Sequence, residues 1–444
     1  MKRIISLLLT LAIIATIPFA VSCGKKGAQD VDPSDLNLEV DPEVSVTLKI
    51  AIMNEDGEVK TIEKLEEGFN KKYPNVKFKN QKITNYEQTI QGDVAAGVVY
   101  DLMWVSDQYV TLFAESNLLE NLDPYIEKSG FDKSLYYDSV IKLGQKNHNG
   151  AQYFLPRDIN KLVVYLNKGI FKKYDVALPE NGWTWSDMLE TCKKLYDAGC
   201  NYVNNKQFAV EADFDWRILM YSFTSSYGGT IVDKEGNIVL DEKYQNGLKE
   251  MHKLIEKGYA TYTQGVSQNF VSGRTAMKFQ VRPYAQSYYA ALQNDLEAVS
   301  FPKIISGVEG DVPCCGAGTT GYGISKSSKN KVVAWKFLEY LMSKDGQEEI
   351  SKSGTITPSL KSVAEDENAI WRTIIPINSD AFVYAGTKDV IYDFYDMLDS
   401  VMMSGYDGSI QNMLTKYFQS PDANLEAYIK TCKRDINNFI RDQR

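Results

Sequence analysis

Residues 44–105 open with VSVTLKIAIM (44–53) and close with YDLMWV (100–105), and the pattern between them decides the fold. Residues 44–53 alternate and are rich in branched side chains, as a strand with one buried face should be. Residues 61–73, TIEKLEEGFNKKY, then set Ile62, Leu65 and Phe69 at spacings of three and four, the period of a helix's inner face, and Pro74 stops the run. VKFKNQKI (76–83) alternates again, residues 86–96 have helical spacing, and 100–105 form a short continuous apolar strand. Strands alternating with helices predict an α/β protein whose mainly parallel sheet is covered on both faces.

Downstream the alternation continues. A short helix is expected at 110–114, strands at 152–155 and 162–166, and helices at 183–198, 215–226 and 243–257. The first of these three is opened by Thr184, with Ser186 and Asp187 in its first turn. Gly228-Gly229 ends the second and Gly258 the third. Extended segments are expected at 276–281 and 323–325, helices at 331–342 and 343–351, and an almost wholly helical C-terminal third.

Upstream, MKRIISLLLTLAIIATIPFAVSC (1–23) puts Lys2 and Arg3 ahead of an apolar run that stops at Ser22-Cys23, the form of an export signal ending on a cysteine. Pro18 breaks the run and a polar segment follows it, which favours cleavage before Cys23 over a retained membrane span. Ser22 ahead of Cys23 resembles the lipobox of bacterial lipoproteins, with Ala20 where Leu is usual; there the cysteine takes a diacylglyceryl group and becomes the N-terminus. Such an anchor holds a protein on a membrane surface rather than through it. The alternative is an ordinary signal peptide with a cysteine near its cut. Residues 24–43, GKKGAQDVDPSDLNLEVDPE, hold few apolar side chains and are expected to form a flexible tether.

The chain has 444 residues, and about 400 follow the tether, more than one hydrophobic core usually serves, so two lobes are expected. A net charge of −9 argues against nucleic acid or an acidic membrane surface as the main partner. The two histidines, His148 and His252, lie apart from Cys or carboxylate clusters, so no metal, cofactor or catalytic-histidine site is expected, and both read as surface residues. Cys192 and Cys200 are separated by the turn at Gly199, and Cys314-Cys315 lies in the glycine-rich PCCGAGTTGYG; reduced thiols are the expected state.

In open α/β sheets ligands bind beyond the carboxyl ends of strands. Here those loops carry Asn54, Glu55, Trp104, Asp107, Arg157, Asp158, Arg282 and Tyr322. Planar aromatics mixed with carboxylates, amides and guanidinium groups suit a sugar, whose apolar face stacks on rings while its hydroxyls take hydrogen bonds.

The segments FNKKYPNVKF, DLMWVSDQYVTLFAESNLLENLDPYI, FLPRDINKLVVYLNKGIFKKYDVALPENGWTWSDML, FVSGRTAMKF and GYGISKSSKNKVVAWKFLEYLMSKDGQEEISKSG, taken in that order, resemble the extracellular solute-binding proteins of bacterial sugar ABC importers. The resemblance implies a two-lobed periplasmic-binding-protein fold, each lobe a mainly parallel sheet flanked by helices, closing on a ligand between them. The first lobe would comprise residues 44–157 with about 275–318, and the second about 158–274 with 319–444. Trp104 and Asp107 match the aromatic and acidic pair on the first-lobe rim, with core packing and a helix cap as their alternatives. Arg157 and Asp158 match the polar turn entering the hinge, where a structural salt bridge is the alternative. Trp216, with Glu211 and Asp213, matches the second-lobe segment facing the cleft; Gly228-Gly229 fits the turn that lets backbone approach ligand there, with Gly229 the contact; and Tyr322 matches the aromatic at the return between lobes. Arg282-Pro283 stands where many relatives have Gly-Trp, a departure in which a guanidinium could stack or bind an acidic group. Trp183 and Trp185 read as structural.

The expected function is a lipid-anchored capture subunit at the outer face of the bacterial cytoplasmic membrane. It would be a monomer that binds a carbohydrate and serves the transmembrane subunits of an ABC permease, without nucleic acid or cofactor. The alternatives are the same fold binding a peptide or acidic ligand through Arg157 and Arg282, a polysaccharide hydrolase using Asp107 with Asp158 or Glu211 with Asp213, and an adhesin, for which no repeat or stalk is present. The GxxxxGK[ST] phosphate loop of an ATPase subunit is absent from the sequence.

Overall fold

A computed structural model describes residues 32–443 apart from 149, 234–236, 263–268, 311, 386–389 and 392–399. The first sheet is built from β1 (Val46–Met53), β2 (Val76–Ile83), β3 (Leu102–Ser106), β4 (Leu155–Pro156) and β12 (Thr320–Ile324), in the order β2-β1-β3-β12-β4. The second has the order β10-β6-β9-β7-β8, from β6 (Val163–Asn167), β7 (Phe208–Ala212), β8 (Ala260–Tyr262), β9 (Thr275–Gln280) and β10 (Leu296–Ser300). Between them a small sheet joins β5 (Asn160–Lys161), β11 (Cys315–Gly318) and β13 (Val390–Ile391). Each large sheet centres its own core. Leu48, Ile50, Leu102, Phe113 and Trp335 belong to the first, and Val164, Val210, Phe223, Met251 and Tyr417 to the second. The helices Ser400–Phe418 and Leu425–Gln443 pack on the second.

The chain crosses between the sheets along β4–β5–β6 and along β11–β12. A third passage follows the helix Lys344–Ser351. It touches the first lobe where Ser359 Oγ donates to the Pro156 carbonyl at 2.7 Å, and reaches the second where Trp371, Ile375 and Phe382 join Tyr165 and Tyr288 in a core. The crossing strands arrive antiparallel, β12 against β3 and β4, and β6 against β9 and β10, so both sheets are mixed rather than mainly parallel.

Two boundary expectations change. A strand belongs to the sheet whose backbone it hydrogen-bonds. β9 lies between β6 and β7, and β10 edges β6, so residues 275–300 join the second lobe rather than the first. β12 sits inside the first sheet, and the helices Lys331–Met342 and Lys344–Ser351 pack on its core, so 319–351 joins the first lobe rather than the second. His252 is also not a surface residue. It is buried, with Nδ1 facing Glu256 at 3.1 Å, Nε2 facing the Ser420 carbonyl at 3.0 Å, and its ring stacked on Tyr417. The side chain of His148 lies outside the described residues, as does Cys23. Among the described residues no helix is long and apolar enough to cross a membrane, and no His, Cys, Asp and Glu cluster could hold a metal ion. Of the described cysteines, Cys192, Cys200, Cys315 and Cys432 are buried and Cys314 is partly exposed.

Candidate ligand cleft and hinge

The local sequence at the hinge explains its narrowness. The helix Arg217–Ser226 lies directly on β11, where a Cβ on Gly316 would fall 2.2 Å from the Ile218 carbonyl oxygen, so only glycine fits. Two serines one turn apart bind the strand. Ser222 Oγ accepts from Gly316 N at 2.7 Å and Ser226 Oγ from Cys314 N at 2.8 Å, while each hydroxyl donates to the carbonyl four residues earlier in its own helix. The glycine-rich PCCGAG segment is therefore the seat for a second-lobe helix that begins at Trp216.

Four of the candidate polar and aromatic side chains are built into the hinge or the second lobe rather than presented to a ligand. Arg157 is only 5% exposed and donates to both carboxylate oxygens of Glu58, at 2.8 and 2.5 Å, and to Thr320 Oγ1 at 3.2 Å. Tyr322, fully buried in β12, donates its hydroxyl to the same Glu58, with the Arg157 guanidinium 5.8 Å from its ring. Asp158 accepts from Thr320 N at 2.8 Å and from Thr320 Oγ1 at 2.9 Å; burial pushes its carboxyl up, against the opposing pull of Arg157 and these hydrogen bonds. Glu211, with no exposed surface, accepts from Lys278 Nζ at 2.7 Å, Phe270 N at 2.6 Å and Thr275 Oγ1 at 3.3 Å. A buried carboxylate or guanidinium must be paired, and these have found their partners inside the protein.

Arg282 is likewise interior. It donates to the carbonyls of Gly354 at 2.9 Å and Trp371 at 2.7 Å and lies over the Phe382 ring at 4.7 Å, and burial lowers it to about 10. It fastens the third crossing to the second lobe, and neither it nor Arg157 is placed to meet an acidic ligand. Gly229 approaches backbone as expected, but that backbone is the helix Glu242–Glu256: a Cβ there would lie 2.5 Å from Tyr244 Cα. Trp183 and Trp185 are structural, their indoles donating to Ser300 O at 2.7 Å and Glu250 at 3.0 Å.

The remaining candidates are Trp104 and Asp107 on the first lobe and Asp213 and Trp216 on the second. Trp104, in the middle of β3 and buried, packs edge-on against Tyr86 and Tyr109, and Tyr109 stacks on Phe113. Asp107, partly exposed, does not cap the following helix Val110–Glu115; its Oδ1 accepts from Thr319 N at 3.5 Å, across the hinge. On the second lobe Trp216 is partly exposed and packed on the second core, and Asp213 lies 3.8 Å from Lys278.

Three further residues near the boundary between the lobes have weaker sequence signals. Burial, then the carboxylates of Glu55 and Asp213, raise the phenol of Tyr284, so this second-lobe ring lies within electrostatic reach of a first-lobe glutamate. Burial and Glu87 raise Tyr109 while Arg217 opposes them, which brings the second-lobe Arg217 into reach of the first-lobe ring. Each sits one or two residues from a position the sequence singles out: Tyr109 beside Asp107, Arg217 beside Trp216 and Tyr284 beside Arg282. Glu58, the centre of the hinge network, carries no local signal, because its partner Arg157 is 99 positions away.

Two sheet-centred lobes joined by crossing strands define a two-lobed binding-protein fold, and the space between domains is where such folds commonly take small ligands. The chain belongs to the bacterial extracellular solute-binding protein family, whose model matches residues 55–348. It is 24% identical over 346 residues to a putative binding protein of Brucella abortus, covering 72% of this chain and 78% of that one. It is also 24% identical over 268 residues to the sn-glycerol-3-phosphate-binding periplasmic protein UgpB of Escherichia coli, covering 56% of this chain and 61% of UgpB. Among solved structures it resembles the ABC substrate-binding protein of Listeria monocytogenes in complex with cycloalternan, with a TM-score of 0.71, 18% identity, and coverage of 89% and 99% of the two chains. It also resembles the sugar-binding protein MalE of Xanthomonas citri, with a TM-score of 0.74, 15% identity and coverage of 90% and 98%. The family and these relatives are binding proteins rather than enzymes.

Proposed function

We propose that the protein is the lipid-anchored solute-binding subunit of an ABC importer, capturing a carbohydrate by lobe closure and passing it to a membrane permease. The observation that carries this reading is the rim itself. On this reading Trp104, Tyr109 and Asp107 of the first lobe and Trp216, Tyr284 and Asp213 of the second are the ligand contacts, the mixture of ring faces and hydrogen-bonding carboxylates that suits a polyol. Structurally similar proteins solved with cycloalternan and with maltose bound support the same ligand class. Binding proceeds without chemistry on the ligand: of the two carboxylate pairs suited to glycoside hydrolysis, Asp158 and Glu211 are buried and fully engaged, so neither pair can flank a glycosidic bond. Cys23 is the anchoring residue, and a single copy of the chain serves the permease.

A second reading, a glycerophosphate-type ligand, is favoured by the UgpB relatives and by Arg217 at the rim. A thermal-shift screen of mature protein against neutral oligosaccharides, glycerophosphodiesters, sugar acids and peptides separates the two. Stabilisation by neutral oligosaccharides alone supports the carbohydrate reading. Stabilisation confined to phosphorylated compounds and abolished by Arg217→Gln replaces it. For the anchor, Cys23→Ser should abolish detergent-phase partitioning, and its retention would remove Cys23 from the account.

A further inference from the structure

The segment expected to be a free tether is largely docked. From Leu36 to Val40, LNLEV, burial alternates: Leu38 is buried in the first-lobe core, Leu36 and Val40 pack against that core, and Asn37 and Glu39 are exposed. The start of the segment is also fixed. Asp32 caps the turn Pro33–Asp35, accepting from Ser34 N at 2.8 Å, and this turn lies on the helix Asp123–Ser129. Its far end is held where Asn75 donates to the Glu43 carboxylate at 2.9 Å and Val44 N to the Asp41 carbonyl at 2.9 Å. Leu36, Asn37, Leu38 and Glu39 share a groove of about 530 Å³ with Lys128, Ser129, Lys336 and Glu339, from the helices Asp123–Ser129 and Lys331–Met342.

We propose that residues 32–45 form a docked strap that turns the face carrying the helices Asp123–Ser129 and Lys331–Met342 toward the membrane. This rests on the reading of Cys23 as the lipid anchor. The argument is one of reach. Between Cys23 and Asp32 there are nine peptide units, which can span at most about 30 Å. Were the strap free as far as Val46, twenty-three units would allow about 80 Å, enough for the protein to present any face. Docking removes that freedom: the first lobe is held near the bilayer on a short lead attached at one side, and the second lobe is the body that swings when the cleft opens and closes.

The test uses the full-length lipidated protein in phosphatidylcholine–phosphatidylglycerol vesicles carrying an acceptor lipid. A donor dye is placed on the strap-side face at Glu127→Cys or on the second lobe at Val203→Cys, in a Cys314→Ser background. Transfer is expected to be at least about twofold stronger from position 127, and the strap variant Leu36→Ser/Leu38→Ser/Val40→Ser should bring the two positions to parity. Equal transfer in the parent protein, or a strap variant without effect, overturns the proposal. Hydrogen exchange on the same protein, read with or without lipid, keeps the two premises apart. Fast exchange at residues 36–44 in the parent overturns the docked strap while leaving the anchor intact. Slow exchange there with no vesicle partitioning overturns the anchor, and the membrane-facing assignment with it.

Discussion

Among single residues the most consequential is Glu58, a buried carboxylate that accepts from Arg157 and Tyr322. Removing one member of a buried ion pair leaves an uncompensated charge and typically costs about 3–5 kcal/mol. Arg157→Leu and Glu58→Gln are therefore each expected to lose about 3–5 kcal/mol of unfolding free energy in a urea titration. A loss for Arg157→Leu below about 1 kcal/mol, with ligand affinity abolished, would return Arg157 to the binding site. Glu66 makes a pH-dependent prediction. It is half-buried, and burial raises it to about 7 from 4.5, opposed by the hydrogen bond from Asn80. Because the folded pKa is the higher one, the folded state keeps a proton that the unfolded chain has lost, so stability falls as pH rises from about 4.5 and the loss is complete above about 7. Glu66→Gln should match the parent at pH near 4 and exceed it at pH near 8 by on the order of 1–2 kcal/mol. Parallel stability–pH curves for the two proteins would show that Glu66 titrates normally.

At the scale of elements, close approach of helix and strand fixes the hinge. Gly316→Ala drives a methyl into the Ile218 carbonyl, and the helix Arg217–Ser226 can yield only by lifting from β11 and carrying Trp216 with it. We expect a loss of about 1–3 kcal/mol in thermal unfolding, as for other overpacked sites, together with weakened ligand binding. Gly318→Ala is the internal control, since its Cβ meets Ile218 and Asp107 at ordinary contact distances of 3.5 and 3.6 Å; equal losses from both would refute the close-contact argument. Elements were also where the sequence was most readable. Local periodicity gave β1, β2 and the helix Lys331–Met342, and the Thr184–Asp187 capping box opens the helix Trp185–Asp197 much as its sequence suggests. Strand membership was not readable, because β9 and β12 are placed by partners many tens of residues away in sequence, and no local pattern reports them. The same limit explains the site. A polar residue at a strand end looks identical whether it meets ligand or a distant carboxylate, so Arg157, Asp158, Glu211 and Arg282 read as rim residues while their partners fold them inward. The LNLEV alternation in the strap was legible in principle, but surrounding Asp, Glu and Pro residues masked three apolar positions.

For the whole molecule, the two-lobed design converts affinity into a change of shape. A ligand touching one lobe binds open and closed forms equally and shifts nothing; only contacts made by both lobes at once favour closure. The proposed function divides such contacts between Trp104, Asp107 and Tyr109 on one side and Asp213, Trp216 and Tyr284 on the other, while the hinge residues Glu58, Arg157, Asp158 and Tyr322 keep their bonds within the crossing strands and the first lobe. Truncating the second-lobe rings should therefore remove closure more completely than it removes binding. In small-angle scattering with a ligand from the thermal-shift screen, the parent should contract on saturation. Trp216→Ala/Tyr284→Ala should still bind through the first lobe, at least tenfold more weakly, and keep the unliganded radius of gyration even at saturating ligand. Saturation at a hundred times the dissociation constant stabilises by about 2.7 kcal/mol whatever the shape, so thermal shift verifies occupancy independently of closure. A double variant that is saturated and contracts like the parent would place the closing contacts elsewhere on the second lobe; one that neither binds nor contracts would make that lobe the primary docking surface.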